Sequence, residues 1–469
     1  MKVEQIYTKC LAQGSYYIES NGEAVVIDPL RDIDKYIQLA ETNNSKIKYV
    51  LETHFHADFI SGHLTLSNLT GAEIIYGPNA DPEFEAIIAE DNQIFNFGNA
   101  SLTTIHTPGH TLESTSFLLK DENGKEHSIF TGDTLFLGDV GIPDVAQRYK
   151  GVSKEELAGT LYDSVNYRIK PLPDDILVYP AHGAGSACGK NMMKETVDTL
   201  KNQKQINYAI NGSYSKEEFV KKLTDNLPEP PSYFPFNVKL NQQGYEDLSE
   251  IIKKSKNLLS VSQFESMTNE DNIKIIDVRH QDIFAAGHVP NSIFIGLDGG
   301  FAPWVGAVLS NIDQPILLVA DEDRVEEAIT RLSRVGFDNV KGYLDGGFSA
   351  WINEGKEVAV IDTITANDFE NNYQGNDVNI FDVRKLTEYQ SEHVLDAINI
   401  PLNNINNFIS DFKIDGENYI HCAAGYRSMI ANSILKVHGI HNLVDVRGGF
   451  SSIKKTAITT SEYICPSTL

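Results

Sequence analysis

The sequence predicts a multidomain α/β protein, and three observations carry that expectation. At 469 residues the chain exceeds one ordinary hydrophobic core and suggests about three domains. Residues 1–225 alternate short apolar strands with helical stretches. Beyond them a pattern recurs with a period of about 100 residues, which means two copies of one domain rather than a solenoid.

In chain order, the alternation predicts strands at Tyr16–Glu19, Ala24–Asp28, Lys48–Glu52, Ser101–Thr107, Thr115–Leu119, His127–Thr131 and Ile176–Tyr179. Helices are expected at Asp34–Thr42, Lys154–Val165, Met192–Ala209 and Lys216–Thr224. The stretch from Leu227 to Pro235 carries four prolines, so residues 227–256 read as a linker. In the repeat, Ile275-Ile-Asp-Val-Arg279 is echoed by Ile380-Phe-Asp-Val-Arg384, and Tyr343-Leu-Asp-Gly-Gly-Phe-Ser349 by Asp445-Val-Arg-Gly-Gly-Phe-Ser451. Each copy reads β-α-β-α, the order of an α/β domain on a parallel sheet. The copies are bounded at 257–358 and 359–469.

Composition narrows the partners. The chain is 41% hydrophobic and 22% charged, as globular proteins are, and its net charge of −26 disfavours nucleic acid and anionic membranes. Apolar runs such as Ile316–Ala320 are too short to span a bilayer, and Met1–Ser20 has no apolar signal core, so a cytoplasmic protein is expected. Four scattered cysteines, Cys10, Cys188, Cys422 and Cys465, make no disulfide framework. Cys10 and Cys465 read as incidental.

The chemistry lies in two constellations. The first is His54-Phe-His56-Ala-Asp58-Phe59, then His110 in Thr-Pro-Gly-His, Asp133 in Thr-Gly-Asp and His182 in Pro-Ala-His-Gly. This ordered set resembles the metallo-β-lactamase superfamily over nearly all of residues 1–225, and implies an αββα sandwich there. Two-metal members place a second histidine directly after the aspartate. Phe59 stands there instead and offers no lone pair, which favours one metal over two. The mononuclear branch that the chain resembles is the persulfide dioxygenase family. That resemblance implies one non-haem Fe(II) per chain on His54, His110 and Asp133, a facial set with open positions for a persulfide and O2. Zinc accepts the same ligands. His56, Asp58 and His182 then orient ligands or substrate, or simply pack as hydrogen-bonded residues. The loop Ala184–Lys190 holds Cys188 and Gly189. Cys188 is either a catalytic thiol that touches a substrate thiol or carries a persulfide, or a small buried residue.

The second constellation is Cys422-Ala423-Ala424-Gly425-Tyr426-Arg427, after a buried strand and at the start of a helix. Loop N–H groups and a helix N-terminus there stabilise a thiolate, a persulfide or oxyanions of sulfur. Arg427 is expected to fix the loop through an acid such as Asp382. The pattern resembles the rhodanese active-site loop, which implies sulfur transfer on Cys422. The middle copy reads Ala320-Asp-Glu-Asp-Arg324 and contains no cysteine, so it carries no sulfur.

The whole order, an oxygenase followed by a silent and an intact rhodanese-like domain, resembles bacterial persulfide dioxygenase–rhodanese fusions. The resemblance implies oxidation of low-molecular-weight persulfides by O2 to sulfite, thiosulfate formation at Cys422, sulfide detoxification and a homo-oligomer. Fusion also raises the local concentration of sulfite at its acceptor. A glyoxalase II-like thiolesterase with rhodanese tails and a sulfur-relay module remain as alternatives.

Overall fold

The computed structural model describes all residues except 145–147, 150, 228, 271, 310, 374–377, 413–415 and 466–469. It divides into two compact units, Met1–Ile251 with Ser333–Gly336, and Ile252–Leu332 with Phe337–Leu469.

The first unit holds two six-stranded sheets. The strand Gln13–Ser20 shows why they stack. Its side chains alternate, Tyr16 and Ile18 entering the core between the sheets while Tyr17 enters a second core under the helix Asp34–Thr42. Leu102, Phe117, Leu119 and Phe130 of the other sheet close the central core. That sheet's outer face packs Ile129 and Val178 against helices Lys154–Asp163 and Lys216–Thr224. The layers therefore run helix, sheet, sheet, helix, as the αββα expectation requires.

Two of the helices start on capping boxes, Ser153 with Glu156 and Ser215 with Glu218, which satisfy first-turn N–H groups. Two expectations change. Helix begins only at Leu200 in the stretch expected as Met192–Ala209. There Asp198–Thr199 pairs with Leu177–Val178, and the Thr199 hydroxyl accepts the Asn202 N–H as a cap. Residues 227–256, read as a linker, hold helices Phe234–Gln243 and Leu248–Ser255, while Pro228 lies outside the described residues. Pro235 falls in the first turn of its helix, where no N–H is needed.

The second unit contains two five-stranded sheets of the same strand order, each with all its pairings parallel. In the first copy Lys274–Asp277 and Ile316–Val319 are central strands; in the second, Asn379–Asp382 and Asn418–His421 take those places. In both, the strand that leads into the repeat's characteristic loop is fully buried. In the first copy that strand is apolar throughout, in the second it buries Asn418 and His421 beside Tyr419 and Ile420, and the loop lies beyond its C-terminal end in both.

Candidate metal centre and cysteine loop

The metal-type residues of the first unit segregate into three buried groups. His54, His110 and Asp133 form one. His54 Nε2 lies 3.9 Å and His110 Nε2 3.4 Å from Asp133 Oδ2. That oxygen is buried and has no hydrogen-bond partner, whereas Oδ1 accepts from His182 Nδ1 at 2.8 Å. An orphaned carboxylate oxygen facing two imidazole nitrogens fits a cation and is costly without one.

Each imidazole is held from behind. His110 Nδ1 donates to the Ile142 carbonyl at 2.6 Å, which leaves Nε2 as the lone-pair nitrogen. His54 Nδ1 lies 3.0 Å from Thr53 Oγ1, which donates to Asp28 Oδ2 at 2.9 Å. Burial and the neighbouring His56 hold His54 far below the usual imidazole range, so it stays neutral and ligand-ready. Burial alone would raise the Asp133 carboxyl, but His182, His110 and His54 hold it well below the carboxylate range. Gly141 permits this geometry, because a Cβ there would overlap the Asp133 carbonyl and crowd the His110 ring.

The other expected residues separate. His182 bridges two carboxylates, Asp133 through Nδ1 and Asp58 Oδ2 through Nε2 at 2.9 Å. Those carboxylates outweigh burial and lift its pKa well above the usual value. Cys188 sits with Asp58 and His182 in the second group. Burial, reinforced by Asp58 and Asp133, pushes its thiol up, so it is a protonated thiol. Gly189 follows against Phe136 and Met192. His56 faces away from the centre, toward Asp28 Oδ1 at 3.1 Å and Glu52 Oε2 at 3.5 Å, the third group. Against burial, those two acids raise it to about 10. The Phe59 ring lies 4.3 Å from the His56 ring and is fully buried.

Sequence reasoning missed two supports of this site. Asn241, in the segment read as a linker, donates to the His56 and Phe59 carbonyls at 2.8 Å each and accepts the Ser61 N–H at 2.9 Å. Glu113 takes Arg148 and Tyr149, both at 2.7 Å, and accepts the Phe55 N–H. A lone asparagine or glutamate gives no sequence signal for such partners.

In the second unit, Cys422 follows the strand Asn418–His421 and is buried. Gly425 at φ +107° turns the chain so that its N–H reaches Cys422 Sγ at 3.1 Å. Helix Tyr426–Val437 starts there, with Ala423 and Ala424 between the cysteine and the turn. Arg427 pairs with both oxygens of Glu388, at 2.6 and 2.8 Å. This corrects the expectation of Asp382, whose carboxylate is already taken by Arg384 two residues on. At the equivalent place the middle copy has Ala320, then a short turn over Glu322–Arg324.

Comparison with known proteins agrees with both halves. The Metallo-beta-lactamase superfamily model matches residues 9–182, and the Rhodanese-like domain model matches 260–354 and 365–456. Human "Persulfide dioxygenase ETHE1, mitochondrial" is 35% identical over 212 residues, 44% of this chain and 74% of that protein. The chain belongs to the persulfide dioxygenase family. This persulfide dioxygenase homologue also resembles the Arabidopsis thaliana cytoplasmic hydroxyacylglutathione hydrolase, 30% identical over 38% of the chain and 66% of that protein. A solved metallo-beta-lactamase from Staphylococcus aureus subsp. aureus COL is 33% identical with TM-score 0.64, covering 73% of the chain and 98% of that structure. The family homology implies a metal ion on the His54–His110–Asp133 set. Among the described residues no helix is long and apolar enough to cross a membrane.

Proposed function

We propose that the first unit is an Fe(II)-dependent dioxygenase for low-molecular-weight persulfides and that Cys422 converts its sulfite into thiosulfate. The observation that carries this reading is the orphaned Asp133 Oδ2 set against the Nε2 atoms of His54 and His110. The groups that a second metal would need are engaged elsewhere: His182 between two carboxylates, His56 on Asp28 and Glu52, and Phe59 without a lone pair.

Bound by His54, His110 and Asp133, one iron would supply the redox chemistry that lets triplet O2 react with a sulfur atom. The chain's own groups do the rest. Asp28, Thr53 and the Ile142 carbonyl fix the imidazole tautomers. His182, cationic between its carboxylates, holds Asp133 in one orientation. Cys188 bounds this side of the site as a neutral thiol, so it does not compete as a nucleophile. The balance is R–S–SH + O2 + H2O → R–SH + HSO3− + H+, with the outer sulfur losing the four electrons that O2 gains. A second persulfide leaves its outer sulfur on the Cys422 thiolate, releasing R–S−. Sulfite attacks that outer sulfur, the Cys422 S–S bond breaks, and thiosulfate departs. The Gly425 N–H stabilises the sulfur that leaves. Such a cycle removes reactive sulfur and so detoxifies sulfide.

Anaerobically purified protein should carry about one iron per chain and consume O2 when given persulfides. His110→Ala should lose metal and O2 uptake together. Two zinc ions per chain with hydrolysis of S-lactoylglutathione would replace this reading with the hydrolase, for which the hydroxyacylglutathione hydrolase relative is the support.

A further inference from the structure

The cysteine-free repeat holds one residue of the sulfur-handling loop, Tyr426. Tyr426 donates its hydroxyl to the Gly296 carbonyl at 2.7 Å, 130 residues away in the other repeat. Its ring makes an edge contact with Phe294, centroids 5.5 Å apart. It also fills the space above Gly299, where a Cβ would overlap Tyr426 Cε2 and Cζ. About two turns along the same helix, Ser433 Oγ accepts the Phe294 N–H at 3.0 Å. Phe294 ends Ser292–Phe294, an edge strand of the silent sheet, so this N–H would otherwise be an unpaired edge donor.

Three features make this more than packing. Tyr426 is the residue after Gly425, whose N–H reaches Cys422 Sγ, so the tyrosine fixes the exit of the turn that aims that donor. The hydroxyl lands on a backbone carbonyl, a fixed point that no side-chain rotation moves. Glycine at 299 matches the ring that it must admit. Gln281 of the silent copy also reaches the loop, with Nε2 within 3.9 Å of where a Cβ on Gly425 would stand.

We propose that Tyr426 is a positioning residue for Cys422, and that the silent repeat persists as the rigid template on which Tyr426 holds the cysteine loop. The silent copy thus contributes to sulfur transfer without carrying sulfur. This deepens the sulfurtransferase reading and rests on it for the kinetic part of the test.

The test compares wild type, Tyr426→Phe, Gly299→Ala, Tyr426→Leu and the Gly299→Ala/Tyr426→Leu double variant, all in the full chain. Sulfane transfer from thiosulfate to a thiol acceptor gives kcat and KM, and hydrogen–deuterium exchange reads the peptide covering Cys422–Arg427. Tyr426→Phe should lower kcat about five-fold, the worth of one neutral hydrogen bond, with KM for thiosulfate nearly unchanged. The loop peptide should exchange faster while the silent strand Lys274–Asp277 stays protected. Gly299→Ala should lose about ten-fold or more by displacing the ring, and the double variant should recover to the level of Tyr426→Leu. The proposal is overturned if Tyr426→Phe leaves both kcat and loop exchange within two-fold of wild type, or if the double variant is no better than Gly299→Ala. If wild type transfers no sulfur at all, the sulfurtransferase reading fails, while loop exchange still decides whether Tyr426 holds the loop.

Discussion

The two rhodanese-like repeats differ less in scaffold than in what the scaffold presents. Both sheets have one strand order, and both place an aspartate at a strand end that grips an arginine two residues later, Asp277 with Arg279 and Asp382 with Arg384. Both stack a histidine on an aromatic ring four residues earlier, His288 on Phe284 and His393 on Tyr389, with centroids 3.9 Å apart in each. The divergence that bears on sulfur chemistry lies at one corner. Where the last copy has Cys422, Arg427 and Glu388, the middle copy has Ala320, Val325 and Ile283. The thiol, the guanidinium and its acid differ together. The Asp–Arg pair common to both therefore serves the fold, and the Arg427–Glu388 pair serves the cysteine loop.

The largest expected effect tests that division directly. Cys422→Ser should abolish sulfane transfer while persulfide-dependent O2 uptake continues with sulfite accumulating. Loss of O2 uptake in the same variant would break the separation of roles. Next comes conversion of the active corner into its silent counterpart, Glu388→Ile with Arg427→Val. Because the middle copy folds with those residues, the protein should keep its thermal transition and lose about a hundred-fold in transfer rate. Removing only Glu388 (Glu388→Ala) should behave differently. It leaves the Arg427 guanidinium, largely buried, without its acid, and should cost about 1–2 kcal/mol in urea unfolding as well as activity. A double variant no more stable than Glu388→Ala would contradict the comparison.

The same contrast explains what was legible in the sequence. The duplication, the Cys422 loop and the ordered His and Asp motifs were readable because short-range spacing encodes them. Helices Asp34–Thr42 and Lys216–Thr224 kept their expected bounds, since apolar periodicity and, for the second, the Ser215 cap mark their limits locally. What could not be read are partnerships across long separations. The acid for Arg427 lies 39 residues away, and the aspartate that the motif suggested is already occupied by Arg384. Asn241 serves the His56–Ser61 loop across some 180 residues of chain, within a segment whose prolines suggested no structure at all. The turning of His56 away from the metal group depended on two buried acids, Asp28 and Glu52, which no motif links to it.

The effect furthest from the chemistry concerns a buried carboxyl that the silent copy lacks. Asp445, on the strand Leu443–Val446, stands where the middle copy has Tyr343. Burial raises its pKa to about 7, only partly offset by Ser428 and Asn432, whose amide lies 3.2 Å from Oδ1. In the unfolded chain an aspartate ionises near pH 3.9. Below that pH both states are protonated and the group costs nothing. Between about pH 4 and 7 the unfolded chain releases a proton that the folded one keeps, so stability falls as pH rises. The integrated loss approaches a limit of about 4 kcal/mol, reduced by any local opening that lets water reach the carboxylate. Asp445→Asn keeps the shape and removes the titration. Calorimetry of the second unit's transition in the full chain should therefore show the variant gaining on wild type from pH 4 to pH 7 and no further above it. A difference between the two proteins that is flat across this window would mean that Asp445 is already ionised, and that Asn432 and Ser428 hold a charge rather than a neutral acid.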